Sequence, residues 1–196
     1  MRLLILWKGM VELEKRKIFD DRNGEVAIFF DRTDEKLRKN RREHERSVVL
    51  QCFQQLLGTN NLELCHADSG APYLSSHSEY EISVSHSKNW YAVQLSKSKN
   101  VGIDIQVFRK DGLQKGYSYF VNDREEKSIE LSDENLHLIW SAKEAVYKYK
   151  KGKIELYKES ITVTNICDNT LSVEVESDDL ECFFEMTENY TLVYVL

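Results

Sequence analysis

Short apolar runs alternate with polar breaks along the chain, and the spacing of the apolar positions changes from one stretch to the next. Leu3 to Trp7 and Val26 to Phe30 are apolar runs of strand length. From Arg41 to Leu57 the apolar positions recur at helical spacing, which predicts a helix stopped by Gly58. Strand-type patterns follow at Leu62 to Cys65, Tyr80 to Val84, Trp90 to Leu95 and Val101 to Ile105. After a polar, irregular stretch come two helical patterns, one from Asp123 to Leu131 and one from Asp133 or Glu134 to Lys150, with Asp133 as the expected N-cap of the second. The tail alternates again at Ser160 to Asn165, Leu171 to Glu176, Leu180 to Met186 and Thr191 to Leu196, as strands with one buried face do. Each half holds one long helix and several strands. This predicts an α+β fold of two similar lobes, residues 1–98 and 99–196, each an antiparallel sheet packed on a long helix, with no sequence repeat between them.

Composition narrows the class. The 196 residues, 41% hydrophobic and 31% charged, suit a folded globular protein. No apolar run approaches the roughly 20 residues of a membrane span, and the segment from Met1 to Lys8 reads as a first strand, not a signal peptide, so a cytoplasmic protein without a membrane partner is expected. A net charge of −6 argues against nucleic acid as a partner. Cys52, Cys65, Cys167 and Cys182 form no C-x-x-C pair, which points to reduced, mostly buried thiols and not to a zinc site.

Chemistry concentrates in two segments, Val101-Gly102-Ile103-Asp104 and Trp140-Ser141-Ala142-Lys143-Glu144-Ala145-Val146-Tyr147-Lys148. The first sets a carboxylate on a short apolar strand. On the second, Trp140, Glu144, Tyr147 and Lys148 share one helix face, with Lys143 one position aside. Read plainly, Asp104 caps a turn and Glu144 pairs with Lys148 on a surface helix. A carboxylate on each element with cations beside them also meets the needs of a magnesium-bound diphosphate, because Mg2+ takes a few hard oxygens from protein and the rest from phosphate and water.

In this order the segments resemble the signature of the 4′-phosphopantetheinyl transferases, in the surfactin-type branch whose second motif reads W-S-x-K-E-A-x-x-K. The run Ser85-His86-Ser87-Lys88-Asn89-Trp90 matches that family's S-H-S-x-x-W, and Gly70-Ala71-Pro72-Tyr73 matches its G-K-P-Y turn with Ala71 in place of Lys. The resemblance implies a pseudodimer of two α+β lobes with the active site in the cleft between them, and a monomer. It implies Mg2+-dependent transfer of the 4′-phosphopantetheine arm from coenzyme A to a serine of an apo acyl or peptidyl carrier protein, with release of 3′,5′-ADP, in fatty acid, polyketide or nonribosomal peptide biosynthesis.

Residue by residue, the resemblance makes Asp104 and Glu144 metal ligands. Gln106 takes the place where most relatives carry a third, glutamate ligand. Lys143 and Lys148 hold the diphosphate. Ser85 and His86 meet the 3′-phosphate of coenzyme A, Pro72 and Tyr73 lie along its nucleotide, and Arg38, Arg41 and Arg42 gather at the 3′-phosphate. Glu125, or Glu126 if the alignment shifts, falls near the acidic residue of an F-x-x-x-x-E pattern; Glu125 or a metal-bound water then takes the serine proton. The basic run Lys150, Lys151 and Lys153 is the expected docking surface for an acidic carrier protein. Ala71 and Gln106 leave open a second reading, a coenzyme A-binding protein of the same fold that has lost catalysis.

Overall fold

The computed structural model describes residues 12–21, 23–33, 40–109 and 111–196; the expected strand from Leu3 to Trp7 and the cation Arg38 lie outside them. In chain order the elements are β1 (Leu13–Asp20), β2 (Gly24–Asp31), α1 (Arg41–Leu57), β3 (Leu64–His66), β4 (Pro72–Leu74), β5 (Glu81–Ser87), β6 (Trp90–Ser96) and β7 (Gly102–Val107). There follow a short 3₁₀ turn at Tyr117–Tyr119, α2 (Asp123–Ser128), α3 (Asp133–Tyr149), α4 (Tyr157–Ser160), β8 (Ile161–Cys167), β9 (Thr170–Val175), β10 (Asp178–Met186) and β11 (Tyr190–Val195). The architecture is mixed helix and antiparallel sheet. One sheet runs β1-β2-β6-β5, a second runs β7-β11-β10-β9-β8, and β3 and β4 form a separate hairpin.

Local chemistry sets the helix ends. The Asn40 side chain accepts from the Glu43 N–H to open α1, and Gly58 closes it at φ 65°, a left-handed conformation that glycine adopts without penalty. At α3 the N-cap is Ser132, whose hydroxyl accepts from the Asn135 N–H, not Asp133 as expected. Asp133 is occupied elsewhere, its Oδ1 accepting from the Leu113 N–H at 2.9 Å. Other differences are local: α2 ends at Ser128, short of Leu131, and Pro72–Leu74 is a strand where a turn was expected.

Apolar faces decide the packing. Val48, Val49, Cys52 and Phe53 of α1 share a cluster with Ala27, Phe29, Tyr91 and Val93 of the first sheet. Leu136, Ile139, Ala142 and Val146 of α3 share another with Val163, Leu171, Val173, Val193 and Val195 of the second. A third cluster, Val26, Ile28 and Ala92 with Ile103, Ile105, Leu192 and Tyr194, joins the two sheets. Cys52 and Cys182 are buried as expected, whereas Cys167 is exposed.

Where the sheets meet, their edge strands β5 and β7 are tied by side chains instead of a backbone ladder. The hydroxyls of Ser83 and Ser87 accept from the N–H groups of Ile103 and Val107, at 3.2 and 3.1 Å. Between them Ser85 donates to Asp104 Oδ1 at 2.7 Å. Buried Gln94 completes the joint, accepting from the Gly102 N–H and donating to the Val195 carbonyl. The alternate serines of Ser83-Val84-Ser85-His86-Ser87 therefore face the partner strand at every second residue.

Candidate active site between the two sheets

Gly102 sets the site by letting α3 approach β7 closely. A Cβ there would run into the Ala145 carbonyl oxygen and lie 2.8 Å from the Tyr149 nitrogen, so any larger residue pushes the helix off the strand. Along the same face of β7, Asp104 meets Lys148, whose Nζ donates to Asp104 Oδ1 and to the Ile103 carbonyl, both at 2.9 Å. Further on, the Phe108 ring packs on His137, with centroids 4.6 Å apart. Helix and strand thus run antiparallel, and this brings Gln106 opposite the stretch between His137 and Lys148.

Asp104 is buried, at 5% exposure. Its Oδ1 is taken by Ser85 and Lys148, while its Oδ2 has no hydrogen-bond partner. Two further buried hydroxyls facing this layer are unpartnered, Ser141 of α3 and Thr191 of β11, the latter paired in register with Gln106. Glu144 is half-buried and accepts from the Tyr157 hydroxyl at 2.8 Å. Burial raises its pKa, with the charge of Asp104 adding to the effect; the Tyr157 bond and Lys148 oppose it. The Tyr157 phenol is pushed up in turn, first by burial and then by Glu144.

This donor set fits a divalent cation of hard-oxygen preference. Mg2+ binds through one or two carboxylates and retains waters, and buried waters satisfy polar groups of the kind left at Asp104 Oδ2, Ser141 and Thr191. Among the described residues no three His, Cys, Asp or Glu side chains converge on one point.

Beside Lys148 opens a cleft of about 860 Å³, within the range of small-molecule sites. Its walls come from α1, the β3–β4 hairpin, β5 and the end of α3, and include Arg42, Arg46, Pro72, Tyr73, His86 and Lys148. His86 stacks on Tyr91, with ring centroids 5.4 Å apart, and its Nε2 lies 4.0 Å from Glu45 Oε2. Burial lowers its pKa. Arg46 was not singled out by sequence; it stands one helical turn beyond Arg42 on α1, and that i,i+4 spacing is the signal for it. Among the described residues neither arginine makes an ion pair, so both offer unneutralised charge to the cleft.

Several expected residues lie elsewhere. Glu125 and Lys143 are both fully buried and pair with each other at 2.9 Å. Glu125 Oε2 also accepts from the Asn122 N–H and its Oε1 from the Val163 N–H; Lys143 donates to the Lys158 carbonyl. Burial lowers the Lys143 pKa against the pull of Glu125. With its acceptor sites engaged and no exposed surface, Glu125 is not placed to take an acceptor's proton, and Lys143 is not placed on a diphosphate. Ser85 is buried with its proton committed to Asp104, so it faces the metal-type carboxylate and not a phosphate in the cleft. Arg41 pairs with Glu45 at 2.7 Å and is 82% exposed. Lys150 pairs with Asp178 and Lys151 with Glu81, which neutralises most of the basic run expected to dock a partner.

Residues 100–195 match the family model of the 4′-phosphopantetheinyl transferase superfamily. The matched region holds Asp104, Glu144 and Lys148. A protein named 4′-phosphopantetheinyl transferase from Bacillus subtilis is 25% identical over 130 residues, which cover 63% of this chain and 58% of the relative. The chain therefore aligns with less than two thirds of that relative's length. Both findings support the superfamily. Among the described residues no helix is long and apolar enough to cross a membrane.

Proposed function

We propose that this protein is a 4′-phosphopantetheinyl transferase of the surfactin-type branch. It moves the phosphopantetheine arm of coenzyme A to a serine of an apo acyl or peptidyl carrier protein, acting as a monomer built from two related lobes, residues 1–98 and 99–196. The observation that carries this reading is the grouping of Asp104, with its unpartnered Oδ2, and Lys148 beside a cleft that Arg42 and Arg46 also line. The family match supports it.

In this reading Asp104 and Glu144 hold Mg2+, which when bound supplies positive charge to the diphosphate. Lys148, at the cleft wall, adds charge where the leaving group develops its own. Arg42, Arg46 and His86 bind the nucleotide's phosphate, and Pro72 and Tyr73 line its path. The acceptor serine oxygen bonds to phosphorus, the bridging P–O bond breaks with its electron pair on 3′,5′-ADP, and the serine proton leaves to solvent.

Gln106 and the two-carboxylate set favour a second reading, a binding protein for coenzyme A without turnover. Intact-mass spectrometry of apo carrier proteins incubated with the protein, coenzyme A and Mg2+ separates the two. A phosphopantetheine adduct that disappears with Asp104→Ala is the expected result. Coenzyme A binding without adduct on any carrier would favour the second reading, and neither binding nor adduct would overturn both.

A further inference from the structure

Glu144 and Lys148 stand four residues apart on α3, the spacing at which Glu and Lys ordinarily pair along a helix. Here they do not: Lys148 donates to Asp104 and to the Ile103 carbonyl, and Glu144 is held from the other side by Tyr157. The difference matters for a cation site. An ammonium on Glu144 would neutralise the carboxylate, whereas a neutral hydroxyl fixes one oxygen and leaves the charge in place. Asp104 differs: its Oδ1 takes both the Ser85 hydroxyl and the Lys148 ammonium, and its Oδ2 is the oxygen left without a partner. Hydrogen-bonding partners of this kind fix ligand geometry in metal sites.

The surroundings of Tyr157 are built to keep it there. It opens α4, and the residue before it, Leu156, holds a left-handed backbone at φ 52° with its side chain 77% exposed. A leucine gains nothing from that conformation or that exposure. What the turn achieves is to point Tyr157 inward, edge-on to Tyr147 at 5.7 Å and onto Glu144. The next residue is clamped: the Lys158 carbonyl accepts from Lys143 at 2.8 Å and from the Asn122 amide at 3.3 Å. The sealed Glu125–Lys143 pair thus anchors α4 at the residue following the tyrosine.

We infer that Tyr157 is a positioning residue that holds the Glu144 carboxylate toward Asp104 for a divalent cation, so that two carboxylates suffice where Gln106 replaces a third. The inference rests on the transferase reading only through the cation, which can be measured without turnover. Mn2+ is the probe, its free concentration read by electron paramagnetic resonance against the full-length protein and Tyr157→Phe, with thermal unfolding as the check on folding. Phenylalanine keeps the ring packing and removes only the hydroxyl.

The expected result is an unchanged melting temperature with Mn2+ affinity lowered about tenfold to a hundredfold. With a carrier substrate, the Mg2+ concentration for half-maximal rate should rise by a similar factor, while the rate at saturating Mg2+ recovers. Equal Mn2+ affinity in the two proteins would overturn the positioning role and leave the cation site standing. No Mn2+ binding by the unmutated protein would overturn the cation reading and this inference together. If Tyr157→Phe fails to fold, Glu144→Gln, which keeps an acceptor for Tyr157 and removes the charge, serves as the second variant: wild-type Mn2+ affinity there would also overturn the inference.

Discussion

Helix α3 carries two lysines that each reach a carboxylate at 2.9 Å, and the two pairs have opposite characters. Lys143 and Glu125 are completely enclosed, and backbone groups of Asn122, Val163 and Lys158 bond to them besides. The side chains of Lys148 and Asp104 are 27% and 8% exposed, and Asp104 keeps one oxygen without a partner. Chemical type is the same in both; saturation and access differ. A closed pair holds structure, because no ligand can reach it. An open pair beside a cleft retains both an acceptor and a cation for a ligand. Helix geometry explains why the two part ways: five residues at about 100° each place their side chains about 140° apart around the axis, so the lysines reach different sides of α3.

The largest effect is expected at the closed pair. Glu125→Ala leaves a buried ammonium without its counter-ion and should destabilise the fold by about 3–5 kcal/mol, whereas replacing both partners with apolar residues of similar volume should recover much of the loss. Chemical denaturation of the two variants checks this, and equal losses would mean that the pair is not coupled. At the open pair the effect should fall on chemistry instead. On the transferase reading proposed above, Asp104→Ala is expected to lower carrier-protein modification by at least about a hundredfold with little change in denaturation midpoint.

Gly102→Ala probes what holds the open pair together. The added methyl meets the Ala145 carbonyl, and moving the helix should cost about 1–3 kcal/mol and weaken activity through the displaced Lys148, which paired denaturation and rate measurements would reveal. The smallest effect is expected at Glu144. Its pKa is raised in the folded protein, so the fold binds its proton more tightly than the unfolded chain does. Stability from this group is present below the unfolded carboxylate pKa and declines as pH rises through the folded value. In chelator, Glu144→Gln should therefore flatten the loss of stability from mildly acidic to neutral pH and raise the melting temperature by at most about 3 °C. A steeper loss in the variant would contradict the assignment.

Much of this was legible in the sequence because burial on one face leaves a period. Helix α1 and the strands β5, β6 and β9 to β11 fall close to their expected positions for that reason. Strand β1 was not expected: five of its eight residues, Glu14, Lys15, Arg16, Lys17 and Asp20, are charged, as suits an edge strand, and they erase the apolar signal. The carboxylate and lysine of the open pair stood out by motif. Which lysine would be sealed did not, since that depends on Glu125 and Lys158 arriving from α2 and α4. Tyr157 likewise carries no local signal; its role comes from a turn at Leu156 that the sequence pattern does not encode.

The serine joint between β5 and β7 has a consequence for how such a site can change. A backbone ladder is written in groups that every residue shares, so substitution leaves its hydrogen-bonding pattern largely intact. A joint made of hydroxyls is written in codons, and each stitch can be removed, lengthened by a methyl or exchanged singly. Drift at Ser83, Ser85 or Ser87 would shift the pitch between the sheets by small steps, retuning the placement of Asp104 one stitch at a time.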